Sequence, residues 1–269
     1  MKGISSSVGC FLLRVFTILF LLTGCTTVPE TGRTQFNMIS PGQEMQLGLT
    51  SFEKMKQETP IRKDPAVNAM LQKVGKRIAA VAQLPDAQWE FVVFESDQAN
   101  AFCLPGGKVG VYAGLLPLTR DEDGLATVIG HEVAHAVAHH GGERMSQSMA
   151  AQLGGEVLGA TLSASDPRVQ GLATLAYGIG SQVGVLLPYS RKQESEADQI
   201  GLLYMARAGY NPEGAIAFWQ RFAEYNARSG SAGVPAFLRT HPVDATRIQQ
   251  LKKWLPEAKA QYRPQTGNH

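Results

Sequence analysis

The residues with the clearest chemistry are His131-Glu132-Val133-Ala134-His135. Two histidines four apart on an α-helix lie about 40° apart in azimuth and one turn apart in height, so both imidazoles can reach one ion. Glu132 projects from the same turn, beside that ion, where a carboxylate can hold a water. Zn²⁺ with three protein ligands and one open position lowers the pKa of its bound water to about 7. Five residues therefore supply two ligands and a general base. The flanking sequence predicts the helix that must carry them, within residues 119–148. Leu125, Val128, Ile129 and Val133 make an apolar stripe, and Asp121, Glu122 and Asp123 set negative charge at the positive end of the helix dipole. Thr119 and Glu122 have the spacing of a capping box.

Two histidines do not hold a catalytic zinc alone. Position 141, where a third histidine would follow in one metal-binding class, is Gly141. His139 stands one turn beyond His135, about 6 Å along the axis, too far to join both histidines, so His139 and His140 read as supporting or surface groups. Glu156 follows His135 by 21 residues but has Ala160 where a partner Asp would be needed. Glu194 is the better candidate. It shares a face with Asp198 on a helix that continues through Leu202, Leu203 and Met205. Glu194 can bind the metal while Asp198 accepts a hydrogen bond from a ligand histidine and fixes its tautomer. Glu196 points away from Asp198 and is expected to face solvent.

Trp89 to Glu95 alternates like a strand. Asn100 to Leu104 is extended, Pro105-Gly106-Gly107-Lys108 turns, and Val109 to Ala113 returns. Such a hairpin ahead of the metal helix has an edge on which an extended peptide can pair through its backbone, which makes Asn100, Ala101 and Phe102 candidate substrate-binding residues.

With these motifs in order, the chain resembles metallopeptidase family 48. Its motifs are matched by His131-Glu132-x-x-His135, Glu194-x-x-Ala197-Asp198, Asn100-Ala101-Phe102 through Pro105-Gly106-Gly107, and Thr240-His241-Pro242 with Arg247. The likeness covers about residues 40–255. It implies a gluzincin domain of α+β class, mainly α, with a small sheet beside the metal helix. It implies one Zn²⁺ held by His131, His135 and Glu194, with Glu132 as general base and Asp198 as an acidic supporting or proton-donor residue. His241 matches a family histidine that approaches the metal from a mobile segment and either stabilises the transition state or blocks the open position; Arg247 supports that site. The chain is similar to compact, LoiP-like lipoprotein peptidases. Beyond its leader it has no apolar run long enough for the HtpX-like or prenyl-protease branches, and it has no room for the helical-repeat tail of the BepA-like branch.

The leader is residues 1–24. Lys2 and Arg14 give it positive charge, Val15 to Leu22 is a short apolar run, and Leu22-Thr23-Gly24-Cys25 resembles a bacterial lipobox. Cys25 is then the lipidation site, and Thr26 in place of an aspartate points to the outer membrane, facing the periplasm. Cys10 lies in the leader, which leaves Cys103 alone in the mature chain and without a disulfide partner; it reads as a buried, inert thiol. Lys plus Arg number 25 against 23 acidic residues, and Lys2 and Arg14 account for the difference, so no nucleic-acid surface is indicated.

Residues 25–39 read as a tether without periodicity, residues 40–262 as the peptidase domain and 263–269 as a frayed tail. Ser40-Pro41 with Gln43 and Asp64-Pro65 start two helices, the second with Val67, Met70, Leu71, Val74, Ile78 and Val81 on one face. Residues 146–188 are rich in Ala, Gly and Ser and read as a helix pair packed on the metal helix. In that pair Gly155 and Gly159, then Gly180 and Gly184, are spaced for close approach. Asn211-Pro212 and Pro242 start two more helices. The expected activity is hydrolysis of peptide bonds in unfolded or misassembled envelope proteins, with outer-membrane assembly machinery as a possible partner. Two other readings share the ligands: a lipid-anchored chaperone or scaffold with a latent or structural zinc, and a zinc amidase acting on cell-wall peptides. Glu132 favours an enzyme, since a structural zinc needs no base.

Overall fold

The structure is a computed structural model that describes residues 25–182, 186–229, 237, 240–242 and 245–264. The leader and Gly184 lie outside the described residues. The architecture is α+β and mainly helical.

The first element differs from a tether. Residues Cys25–Thr27 (β1) and Thr34–Phe36 (β2) pair as a short antiparallel ribbon, in register Cys25 with Phe36. Val28 is fully buried in the turn region and Gln35 nearly so. Too short to show a period in sequence, the ribbon is held by tertiary contacts described below.

Helix α1 (Pro41–Glu58) begins on a capping box: the Ser40 hydroxyl accepts from Gln43 N and the Gln43 side chain accepts from Ser40 N. Helix α2 (Pro65–Ala79) is capped by Asp64, which accepts from Ala66 N and Val67 N, and buries Leu71, Val74 and Ile78. Strands β3 (Glu90–Phe94), β4 (Ala101–Leu104) and β5 (Lys108–Tyr112) form one sheet in the order β3-β5-β4. β3 runs parallel to β5, and β4 returns antiparallel to β5 as the expected hairpin. β4 is thus an edge strand.

One short turn of helix, α3 (Leu116–Thr119), leads into α4 (Glu122–Val137), which carries the two histidines. The cap of α4 is Asp121, whose carboxylate accepts from Gly124 N at 2.8 Å. The expected Thr119–Glu122 box is absent because Thr119 closes the preceding turn and its hydroxyl donates to Leu116 O. From Gly124 to Val137 every residue of α4 is buried, as expected of a helix enclosed on all sides. The sheet and α2 pack on one side of it. On the other lie α7 (Leu187–Arg207), α8 (Glu213–Ser229) and α9 (Ala245–Ala260). α4 and α7 touch through backbone: a methyl group added at Gly130 would sit 2.9 Å from Gly201 O, and one added at Gly201 would sit 2.8 Å from His131 N.

Helices α5 (His140–Thr161) and α6 (Pro167–Ser181) depart from expectation. They form a pair, but beyond Ser146 neither buries a residue. They pack on each other, not along α4, because Tyr177 lies across Gly154 and its hydroxyl donates to Ala151 O at 2.9 Å. Gly155 meets the Tyr177 ring, but Gly159 and Gly180 face open space, so those two make none of the expected small-residue contacts. Met149, Leu153, Val157, Leu172, Leu175 and Ile179 are left exposed on this pair.

Candidate metal centre

Four side chains from three parts of the chain converge at the centre of the fold. α4 contributes His131 and His135, α7 contributes Glu194, and the segment before α9 contributes His241. All four are buried, and one donor atom of each lies within 4.8 Å of all the others. His131 Nε2 is 3.1 Å from His135 Nε2 and 3.3 Å from a Glu194 oxygen, and His135 Nε2 is 3.2 Å from the other Glu194 oxygen. The ligands of a tetrahedral zinc stand about 3.3 Å apart if each bond is about 2.0–2.1 Å. These three side chains already have that spacing. His241 Nδ1 stands 3.1 Å from His131 Nε2 and 2.9 Å from the Glu194 carboxylate, at the fourth corner.

Glu132 stands beside this cage. Its Oε1 is buried and has no hydrogen-bond partner; His241 Nε2, at 3.4 Å, is not aligned to supply one. Burial pushes the carboxyl up from its ordinary range, against the pull of His241 and His131. An orphaned carboxylate oxygen beside a two-imidazole, one-carboxylate donor set fits a catalytic divalent ion with a water next to it, and no simpler packing role accounts for it.

Around the cage, further groups hold His131 and His241. Asp198 lies 2.9 Å from His131 Nδ1, so Nδ1 carries a proton toward Asp198 and Nε2 is the nitrogen turned to the cage. Arg247 donates two hydrogen bonds to Asp198, at 2.6 and 2.7 Å, one to Pro242 O at 3.0 Å, and sits over the Trp219 ring, 3.6 Å from its centroid. Burial opposes the charge on Asp198, but Arg247 and His131 outweigh it and hold its pKa below the ordinary range. On His131 burial is likewise outweighed, by hydrogen bonds to Asp198 and Glu194 that push it up to about 9. His241 N donates to Phe237 O at 2.7 Å, and Phe237, fully buried, donates its N–H to Ala99 O.

The cage opens on a cleft of about 510 Å³. Asn100, Ala101 and Phe102 line it along the free edge of β4, and Glu132, His135, Glu194 and His241 form its floor. Cys103 also lines it, half-buried and not enclosed as expected; desolvation, with a smaller push from Glu132, raises its thiol well above the ordinary range. From the α5–α6 pair only Gly141, Gly142 and Arg144 reach the cleft. Glu156, set aside in sequence, is exposed on α5.

A match to the model of peptidase family M48 spans residues 65–255, most of the chain. The chain belongs to peptidase family M48. It is similar to the mitochondrial metalloendopeptidase OMA1 of Schizosaccharomyces pombe, at 35% identity over 89% of this chain and 69% of that protein. It is similar to the human mitochondrial metalloendopeptidase OMA1 at 30% identity, over 90% of this chain and 48% of the relative. The beta-barrel assembly-enhancing protease of Escherichia coli is 27% identical, over 84% of this chain and 46% of that one. The M48 chain described here is a metalloendopeptidase, and it spans about half the length of the last two relatives.

Glu196 corrects the sequence reading. It is buried, not solvent-facing, and accepts hydrogen bonds from Thr31, from Arg33 Nε at 2.7 Å and from His140 Nε2 at 3.0 Å. Helical spacing placed it opposite Asp198, but the ribbon β1–β2 covers that opposite face. Arg33 and Glu143, which complete this cluster, carried no sequence signal: Arg33 lies in the supposed tether, and Glu143 lies between the metal-helix motif and the Ala/Gly-rich run that begins at residue 146.

Proposed function

We propose that the chain is a lipid-anchored zinc endopeptidase of a Gram-negative cell envelope that cleaves unfolded or misassembled proteins bound as extended strands. The observation that carries the reading is the placement of Glu132 Oε1, unpartnered and buried, between the cage and the open edge of β4. His131, His135 and Glu194 hold the metal. When bound, zinc supplies Lewis acidity that activates a water and polarises a carbonyl.

The chain's own residues do the rest. The β4 edge at Asn100–Leu104 pairs with substrate backbone, which gives affinity without sequence choice. Glu132 takes the proton of the attacking water on its carboxylate and returns it to the leaving amine; its upward-pushed pKa brings it toward the range in which one group does both. Asp198 holds the His131 tautomer, and Arg247 holds Asp198. His241 fills the fourth corner, where water must enter. The arrangement is a resting state, and cleavage requires His241 to leave that corner.

The cell address rests on the leader, with Cys25 as the acylated residue and Thr26 directing the protein to the outer membrane. No helix among the described residues is long and apolar enough to cross a membrane. The Escherichia coli relative's name favours the envelope, while the OMA1 relatives are named mitochondrial.

The test is purified full-length protein, zinc-loaded, with unfolded casein, beside Glu132→Gln. The variant keeps its metal and loses about 10²–10⁴-fold in cleavage rate. Undiminished cleavage by metal-loaded Glu132→Gln sinks the assignment. Muropeptide turnover in place of casein cleavage would move the enzyme to amidase chemistry.

A further inference from the structure

Behind His135, on the side away from the cleft, a chain of hydrogen bonds leaves the cage and ends on the N-terminal ribbon. His135 turns Nε2 to the cage, so its ring proton sits on Nδ1. That Nδ1–H faces His140 Nδ1 at 2.8 Å, which can only accept. The proton of His140 is therefore on Nε2, where it donates to Glu196 Oε2 at 3.0 Å. Arg33 Nε donates to that same oxygen at 2.7 Å, and Thr31 donates to Oε1. Every group has one possible role: donation runs outward from His135 through His140 and inward from Thr31 and Arg33, and both meet at Glu196. His140 is fully buried and Glu196 is nearly so.

We propose that Arg33, Glu196 and His140 are positioning residues for His135, and that the ribbon β1–β2 is a working part of the metal centre. His131 has its carboxylate, Asp198, in direct contact. His135 lacks one; its carboxylate is Glu196, reached through His140. Glu196 carries charge to the pair, and Arg33 pins Glu196 against rotation. Arg33 is the outermost link, and it lies ahead of residues 65–255, the span of the family match. This rests on the metal-centre reading above but concerns parts of the chain that reading does not use.

The structure contains its own control. Arg33 also grips Glu143, donating to its two oxygens at 2.8 and 2.9 Å, and Gln193 donates to Glu143 at 2.7 Å. Glu143 is as buried as Glu196 and helps fasten the ribbon, yet among the described residues none of its side-chain hydrogen bonds goes to a histidine. Loss of Glu143 loosens the ribbon; loss of the relay disorients a ligand.

The experiment uses full-length protein and the variants His140→Phe, Arg33→Met and Glu143→Gln. Zinc affinity is read by competition with a chromophoric chelator. The visible spectrum of the Co²⁺-substituted protein reports ligand geometry, and urea unfolding of the metal-free protein reports packing. His140→Phe weakens zinc binding about 10–100-fold, as for other groups that orient metal ligands, and shifts the Co²⁺ bands. Arg33→Met moves both readouts the same way by less. Glu143→Gln lowers only the urea midpoint. If His140→Phe does not fold, Arg33→Met against Glu143→Gln carries the test. The proposal is overturned if Arg33→Met loses metal-free stability as Glu143→Gln does while its zinc affinity and Co²⁺ spectrum stay at wild type. A wild type that takes up neither metal overturns the metal-centre reading itself, a result distinct from a normal wild type with indifferent variants.

Discussion

Gly201→Ala adds one methyl group at the contact between the two ligand-bearing helices. The new carbon would stand 2.8 Å from His131 N, 2.9 Å from Gly130 C and 3.0 Å from His131 Cα, all of them backbone. No side chain can swing aside, so α4 and α7 must part by about 0.6 Å to restore an ordinary contact of 3.4 Å. Overpacking of this kind costs about 1–3 kcal/mol, offset by the gain of about 1 kcal/mol from replacing glycine inside a helix. The net loss is about 0–2 kcal/mol of stability. The metal feels it more, because ligand distances are held to about 0.2 Å and Glu194 rides on α7 while His131 and His135 ride on α4. Zinc affinity falls at least tenfold, measured by chelator competition, with the urea midpoint of the metal-free protein as the stability readout. Gly159→Ala is the contrast. Gly159 is an exposed helical glycine with nothing within 4 Å of the added carbon, so the same change there stabilises by up to about 1 kcal/mol and leaves zinc affinity alone. If Gly201→Ala matches wild type in both stability and zinc affinity, the helix contact does not set the spacing of the cage.

His241→Ala frees the fourth corner of the cage and raises the rate of casein cleavage; a rate at or below wild type with zinc bound would show that His241 is not a gate. Arg247→Met leaves the buried Asp198 carboxylate without its guanidinium and costs about 3–5 kcal/mol in urea unfolding, and Asp198→Asn added to it recovers part of the loss. Glu90 sets an acid limit. Burial opposes its charge, but hydrogen bonds from Lys56 and Lys108 outweigh that and hold its pKa below the ordinary value. A depressed carboxylate stabilises the fold above its unfolded pKa of about 4.3, and that contribution is lost as pH falls through the lower folded value. Replacing both lysines by Met should flatten the decline of the urea midpoint from about pH 5 to about pH 3, and an unchanged slope would show that the pair is not coupled to folding.

What the sequence disclosed and what it hid divide along physical lines. His131, Glu132 and His135 were legible because helical periodicity alone places them, and Glu194 with Asp198 for the same reason. The caps at Ser40 and Asp64 were legible because a cap is a local bond between near neighbours. The β4–β5 hairpin followed from its Gly106-Gly107 turn, where both residues have positive φ. The parallel pairing of β3 with β5 did not follow, since strand order is set by partners distant in sequence. Glu196 was misplaced for a related reason. Periodicity gives the direction of a side chain on its own helix but not what covers that direction, and here a three-residue strand pair too short to leave a pattern does so. The outward course of α5 and α6 was hidden because Ala and Gly permit close packing without requiring it, and Tyr177 on Gly154 decided the matter.

The way the cage is assembled bears on how the protein comes into being. His131 and His241 are 110 residues apart, Glu194 and His241 are 47 apart, and the brace from Arg33 to Glu196 spans 163. Contacts of such long range form only after the loop-closure entropy of the intervening chain has been overcome, so they belong to the end of folding. A growing or half-folded chain carries histidines and a base but no cage. Its own unfolded segments, which are the kind of substrate proposed for the finished enzyme, are safe from it until none remain. The long sequence separations of the centre thus act as a timer that sets hydrolysis after folding.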